Sequence, residues 1–317
     1  MSEGSERFSL SEIKNIYEQP FNCLLYKAHT IHLEHQEENS IQLAKLLSIK
    51  TGACPEDCGY CSQSGHHQTR VEKEKLMSVE QVLEKAQLAK EGGAKRFCMG
   101  AAWRCPPDKA MPDLQAMIAG VKALGLETCM TLGMLEPKHA EALKEAGLDF
   151  YNHNIDTSPS YYSKVVSTRS FKDRLDTIET VRQAGIKVCC GGILGLGESR
   201  EDRIEFLYTL ANMPSPPESV PINRLIRVEG TPLAEAKQVE GIELVRTIAT
   251  ARIIMPKSVV RLTAGRTEMS DELQALCYFA GANSIFIGSV LLTEANPRRD
   301  EDKILFQKLG LKAFAEC

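Results

Sequence analysis

Glu145-Ala-Gly-Leu-Asp-Phe-Tyr-Asn-His-Asn-Ile-Asp156 ends one element and begins another. The Glu-Ala-Gly triplet closes a helical pattern, because glycine accepts the left-handed conformation in which helices commonly stop. A run of period two follows. Tyr151 and Ile155 share one face, while Asn152, Asn154 and Asp156 share the other. A strand that is apolar on one side and rich in amides on the other, entered directly from a helix, sets the question for the rest of the chain.

The same unit recurs in both directions. Gln183-Ala-Gly185 leads into an apolar run at 186–194, and Ala280-Gly281-Ala282 into one at 285–291. Ser78 opens a helical pattern that Glu91-Gly92-Gly93 closes, just before the run at 95–103. Runs at 46–53, 126–135, 220–228 and 259–264 bring the total to eight, with helical patterns between them. Such alternation implies right-handed βαβ units and a parallel sheet. Eight units are what close a barrel. The predicted fold is α/β, a TIM-type (β/α)8 barrel over residues 41–295. A short N-terminal helical extension (1–40) precedes it and a C-terminal tail (296–317) follows; a doubly wound open sheet is the alternative. In the extension, Ser9 or Ser11 with Glu12 offers a helix cap. His29, His32 and His35 there share a helix face that reads as packed or solvated rather than metal-binding.

Alternation along the other runs divides them in the same way. Leu47 and Ile49 oppose Ser48 and Lys50; Phe97 and Met99 oppose Arg96 and Cys98; Met130 and Leu132 oppose Cys129. Ile186, Val188 and Cys190 oppose Cys189, Ile222 opposes Asn223, and Val260 and Leu262 oppose Arg261. If the apolar parity packs on the helices, the lumen receives Lys50, Cys98, Cys129, Asn152, Asn154, Asp156, Cys189, Asn223 and Arg261 together. Branched aliphatics would fill a lumen built for stability alone. Burying these polar groups instead costs several kcal/mol unless they are satisfied, about 1–3 each. Their presence predicts a bound cofactor and ligand.

Composition limits the partners. A formal charge of −4 with no long basic run argues against nucleic acid or a charged membrane surface. No stretch approaches a membrane span, and the polar N-terminus lacks a targeting pattern, so the expectation is a soluble, cytoplasmic protein. Eleven cysteines, odd in number and unevenly spaced, do not form a disulfide framework.

Three of them form Cys54-Pro-Glu-Asp-Cys58-Gly-Tyr-Cys61, a C-x3-C-x2-C run just after the first strand. That is where barrel active sites assemble. Three thiolates hold one compact metal centre and leave a coordination position open, whereas structural zinc takes four ligands. This run, with an aromatic before its last cysteine, resembles the signature of the radical S-adenosylmethionine (SAM) superfamily. The resemblance implies that Cys54, Cys58 and Cys61 hold a 4Fe-4S cluster whose open iron binds SAM, with Tyr60 packing nearby.

Cys98, Cys129, Cys189 and Arg261 share the inward parity on four different strands. With the blocks at 48–61, 151–157, 191–198, 219–223 and 261–266, they resemble the biotin synthase family, in which three cysteines and an arginine hold a 2Fe-2S cluster. Arginine is a poor metal ligand because its guanidinium stays protonated. Parity favours Cys189 over its neighbour Cys190.

The resemblance implies sulfur insertion into dethiobiotin, with two SAM consumed per biotin and the 2Fe-2S cluster as sulfur donor. Unactivated C–H bonds are beyond any side-chain acid or base, so no side chain is expected to be catalytic in itself. Asn154 and Asp156 are expected at the SAM ribose. Asn152, Asn154 and Asn223 are expected at the substrate's ureido group, and Lys50 at its carboxylate or near SAM. The family further implies a low-potential electron donor such as flavodoxin or ferredoxin, iron–sulfur assembly proteins and a homodimer. The glycines of 191–197 do not form a dinucleotide fingerprint and are expected to let backbone approach adenine. His66 and His67 are expected to be solvated. Cys23, Cys105, Cys277 and Cys317 receive no chemistry. The rival readings are another radical SAM barrel enzyme and a metal-binding protein without turnover.

Overall fold

The computed structural model describes residues 7–313. Its strands are β1 (Ser40–Lys50), β2 (Arg96–Ala101), β3 (Glu127–Thr131), β4 (Phe150–Asn152), β5 (Lys187–Cys189), β6 (Gly192–Leu194), β7 (Ser219–Arg224), β8 (Val259–Leu262), β9 (Ser284–Phe286) and β10 (Lys312–Ala313). The helices are α1 (Leu10–Tyr17), α2 (Phe21–His35), α3 (Val79–Glu91), α4 (Met111–Ala123), α5 (Pro137–Glu145), α6 (Pro159–Tyr162), α7 (Phe171–Gln183), α8 (Arg200–Ala211), α9 (Gly241–Ile254), α10 (Asp271–Phe279) and α11 (Arg299–Leu309). Strands β1-β2-β3-β4-β5-β7-β8-β9 pair in parallel, and β9 returns to β1 through Gln42↔Ser284 and Leu43↔Ile285. The closed eight-membered ring is the predicted (β/α)8 barrel.

Gly147 shows how the chain turns from helix to strand. It stands at φ 97 just after α5, where the left-handed turn would strain any residue with a Cβ. The outward parity then enters the core between ring and helices: Phe97, Met99, Met130, Tyr151, Val188, Ile222, Val260 and Leu262 all lie in one apolar cluster. Each fully buried aliphatic there contributes roughly 1.5–3 kcal/mol.

Several strands depart from their apolar runs. β1 begins at Ser40 rather than near 46. β4 pairs over only three residues, so Asn154 and Asp156 lie beyond its end, where Asp156 makes an isolated bridge to Gly192. The fifth run splits at Cys190-Gly191 into β5 and β6. Two causes act there. Pro221 in β7 has no N–H to offer the ladder. The backbones also crowd so closely that a Cβ on Gly191 would stand 1.9 Å from the Pro221 carbonyl oxygen. A Cβ on Gly192 would stand 2.4 Å from the Asp156 carbonyl. Gly191 and Gly192 therefore serve strand-to-strand contact.

The extension packs on the ring, with α2 against α9 and α1 against α8 and α9. Ser9 and Glu12 form the capping box of α1. Tyr17 reaches Glu243 and Thr247 at 3.2 and 3.0 Å. The three histidines of α2 are placed differently: His32 is buried, His29 stacks on Phe279 at 4.1 Å with its ring 6.3 Å from that of His32, and His35 is exposed. Between residues 299 and 313 the chain forms α11 and β10. α11 is held by the buried Arg266–Asp302 ion pair, and β10 pairs in parallel with the start of β1. No helix among the described residues is long and apolar enough to cross a membrane.

Candidate functional site

A cavity of about 340 Å³ opens at the C-terminal ends of the strands and runs into the lumen. Both cysteine trios line it, together with Tyr60, Asn152, Asn154, Asp156, Asn223 and Arg261.

The upper trio sits on the loop after β1. Gly52 and Ala53, at φ 70 and 50, turn the chain out of the strand. The loop then folds back on itself through Cys54 N–H to the Gln63 carbonyl (2.9 Å) and Gly65 N–H to the Cys54 carbonyl (2.7 Å). Burial pushes the Cys54 and Cys58 thiols up. Burial and the neighbouring Cys58 push Cys61 up to about 12.

The lower trio sits on strands. Cys98 and Cys129 are direct register partners across β2 and β3, and Cys189 faces Asn152 across β4 and β5. All three are buried. Asn152 Nδ2 donates to Cys189 Sγ at 3.3 Å. Cys129 lies in hydrogen-bond contact with both neighbours. That contact, then the Arg261 and Arg96 guanidiniums, lowers the Cys98 thiol and brings Cys189 down to about 5. Contact with Cys189 and Cys98, then burial, pushes the Cys129 thiol up. Cys190 points away into the helix-facing core.

Arg261 Nε donates to Ser284 Oγ at 2.8 Å and Nη2 to Gln42 Oε1 at 3.1 Å. On the other side Arg96 stacks on Phe150, 3.4 Å from the ring centre, and donates to Glu127 at 3.0 Å. Its Nη1 is buried with no hydrogen-bond partner. An orphaned guanidinium N–H beside three thiols is costly unless an electron-rich group stands there.

Among the described residues, no three His, Cys, Asp or Glu side chains converge tightly enough for a single ion. A cluster held at its corners by cysteine sulfurs fits both trios better than one tetrahedral ion does.

The amides are partly committed. Asn154 Oδ1 accepts from Gly191 N–H at 3.1 Å and from Asn152 at 3.2 Å, so its N–H2 is what it offers a ligand. Asn223 bonds to Gly192, Thr263 and Ala264. Asp156 is buried, stands at φ 66, and accepts from Arg174 Nη2 at 2.5 Å. Lys50 lies apart from the cavity lining: its Nζ donates to the Gly52 and Ala102 carbonyls, the latter at 2.8 Å. His66 is exposed, and His67 contacts the Cys58 carbonyl at 3.0 Å. Cys105 lies 3.8 Å from His139 Nδ1, Cys277 is in the core and Cys23 is exposed. Cys317 lies outside the described residues.

Several cavity residues were not singled out in the sequence. Arg169 enters from the segment just before α7, Arg174 from its first turn, and Glu56 from the cysteine loop. Thr293 and Glu294 also line the cavity, each 2.9 Å from Ser62 Oγ. Arg174 was readable: with Thr177, Ile178 and Val181 it occupies the i, i+3, i+4, i+7 buried stripe of α7, where an arginine needs a partner.

The Radical SAM superfamily model matches residues 48–210, and the Biotin and Thiamin Synthesis associated domain matches 221–312. The chain is 76% identical to a biotin synthase of Legionella pneumophila (strain Corby), covering 99% of this chain and all of the relative. It is 62% identical to a biotin synthase of Brucella ovis, covering 98% and 94%. Among solved structures it is similar in fold to methylornithine synthase, with TM-score 0.80, 18% identity and coverage of 97% and 94%. The chain belongs to the biotin synthase family of the radical SAM superfamily.

Proposed function

We propose that the chain inserts sulfur into dethiobiotin to form biotin, using SAM and a 4Fe-4S cluster that Cys54, Cys58 and Cys61 would hold. Cys98, Cys129, Cys189 and Arg261 would hold a 2Fe-2S cluster. The observation that carries this reading is a second inward thiol trio, flanked by two arginines, at the base of the cavity whose mouth bears the C-x3-C-x2-C loop. When bound, the upper cluster with SAM supplies the hydrogen-abstracting radical, and the lower cluster supplies sulfur.

The chain's own residues bind, orient and shield. Asn154 offers a donor to the ribose or the ureido carbonyl, and Asn152 holds Cys189 through its N–H2 while sharing the substrate's level of the lumen. Asn223 keeps β6, β7 and β8 in register and leaves one N–H for the ureido group. Asp156, fixed by Arg174, faces the ribose hydroxyls. Lys50 instead braces the loop that carries Cys54. Thr293 and Glu294, held to Ser62, help to shield the cavity from water. Electrons come from a low-potential carrier of the flavodoxin or ferredoxin type. Assembly proteins rebuild the lower cluster, and the working form is a cytoplasmic homodimer.

Anaerobic, iron-reconstituted protein given SAM, reductant and dethiobiotin should yield biotin by mass spectrometry, with 5′-deoxyadenosine release accelerated by dethiobiotin. Release without stimulation and without biotin would point to a radical SAM enzyme with another substrate.

A further inference from the structure

We propose that Arg169 tunes the reduction potential of the cluster on Cys54, Cys58 and Cys61, a role that rests on reading that trio as the 4Fe-4S site. Arg169 Nη2 donates to Cys58 Sγ at 3.5 Å. Its side chain is only 7% exposed and lines the cavity.

The other arginines near the mouth are spent differently. Arg174 is committed to Asp156 and to the Tyr162 hydroxyl (2.9 Å), and Arg104 is half-exposed and faces Glu56 and the Thr168 carbonyl. Arg169 thus brings both positive charge and an N–H donor to a ligand sulfur. Each stabilises the more negative, reduced cluster and raises its potential.

The position of Arg169 is fixed by the loop it serves. Gly59 N–H donates to the Val165 carbonyl at 2.9 Å. Asp57 accepts from the N–H groups of Ser167 and Thr168 at 2.9 and 3.1 Å, and from both hydroxyls. Glu56, buried, accepts from Thr168 and from Arg104 (3.0 Å), and its second oxygen lies 3.8 Å from Arg169 Nε. Residues 165–170 therefore form a strap tied to the two acids between Cys54 and Cys58, and Ser170 at its end caps α7. An arginine on this strap cannot drift from Cys58 without breaking those ties. In the redox step one electron passes from a low-potential one-electron carrier to the cluster, and no covalent bond forms or breaks.

The test is an anaerobic redox titration of the iron-loaded full chain, following the reduced 4Fe-4S state by electron paramagnetic resonance, for the parent, R169Q and R169K. R169Q should lower the reduced-to-oxidised ratio at fixed ambient potential about tenfold, which is 59 mV for one electron. R169K, which keeps the charge but loses the planar fork, should fall between. Unchanged potentials with full iron content would overturn the proposal. If R169Q does not load iron, R169K decides by the same criterion. Failure of both to load would also overturn it, making Arg169 part of the assembly frame. A parent chain that binds no such cluster would instead sink the reading of the trio itself.

Discussion

Replacing Arg174 with methionine removes one half of a nearly sealed ion pair, and the cost can be worked from its surroundings. Arg174 Nη2 stands 2.5 Å from Asp156 Oδ2, with side chains 6% and 2% exposed. Nε also serves the Tyr162 hydroxyl. Methionine fills most of the arginine stem but leaves the carboxylate of Asp156 buried and unpaired. Breaking such a pair on one side costs about 3–5 kcal/mol. Folded proteins hold only about 5–15 kcal/mol in total. With a urea m-value of about 3 kcal/mol/M, the midpoint of the metal-free protein should fall by about 1–1.7 M. Adding D156N should return a large part of that loss, because the amide carries no charge to strand. Asparagine also accepts the left-handed backbone found at this position, φ 66. The assay is anaerobic urea denaturation of the parent, both single variants and the double variant. A midpoint shift for R174M below about 0.3 M, roughly 1 kcal/mol at that slope, would refute the reasoning. So would a double variant no more stable than R174M.

Three further outcomes are expected. C98A should abolish biotin formation while sparing reductive SAM cleavage, read as 5′-deoxyadenosine; loss of both would mean that the two trios are not separable in function. Burial, then the Arg252 charge, lowers the His32 pKa from 6.5 to about 4, so the unfolded chain binds the extra proton. Stability present above about 6.5 should therefore drain away as pH falls towards 4, and H32L should flatten that part of the urea-midpoint profile relative to the parent. G191A places a Cβ against the Pro221 carbonyl and should destabilise by about 1–3 kcal/mol or more; an unchanged urea midpoint would contradict the close approach of β5 and β7.

The lumen was legible because a strand exposes its two faces in strict alternation. A single apolar residue such as Val188 or Leu262 reveals which parity faces the helices, and the opposite set follows. Cys98, Cys129, Cys189 and Arg261 were placed together by that rule alone, and in the structure they share one cavity. The rule stops where strands stop. Lys50 is the last residue of β1; a register irregularity after Ser48 pairs it with Ala101, off the parity shared by Ser48 and Gly100, and the loop carbonyls of Gly52 and Ala102 claim its ammonium. Glu56 and Arg169 lie on loops, where no period relates one side chain to the next. Their meeting depends on a strap more than 100 residues downstream in sequence, on the order of a third of the chain, folding over the cysteine loop. The glycines of 191–197 carried a real signal, close approach of backbone. Sequence could not say that the groups approaching Gly191 and Gly192 include Pro221 and the Asp156 carbonyl.

The two sulfur sets are held by different means, and this bears on how the barrel keeps two pieces of chemistry apart. The lower trio hangs from paired strands, so its spacing is set by sheet register and changes only if the ring itself deforms. The upper trio hangs from a loop whose shape depends on Asp57, Glu56 and the strap at 165–170. The electrostatics divide only partly along the same line. Contact with Cys129, then the Arg261 and Arg96 guanidiniums, favours the thiolate at Cys98 and Cys189, while Cys129 is pushed up like the buried upper thiols. A strand-borne set keeps its ligand positions whether or not iron is bound. A loop-borne set instead gains order from the metal centre it binds.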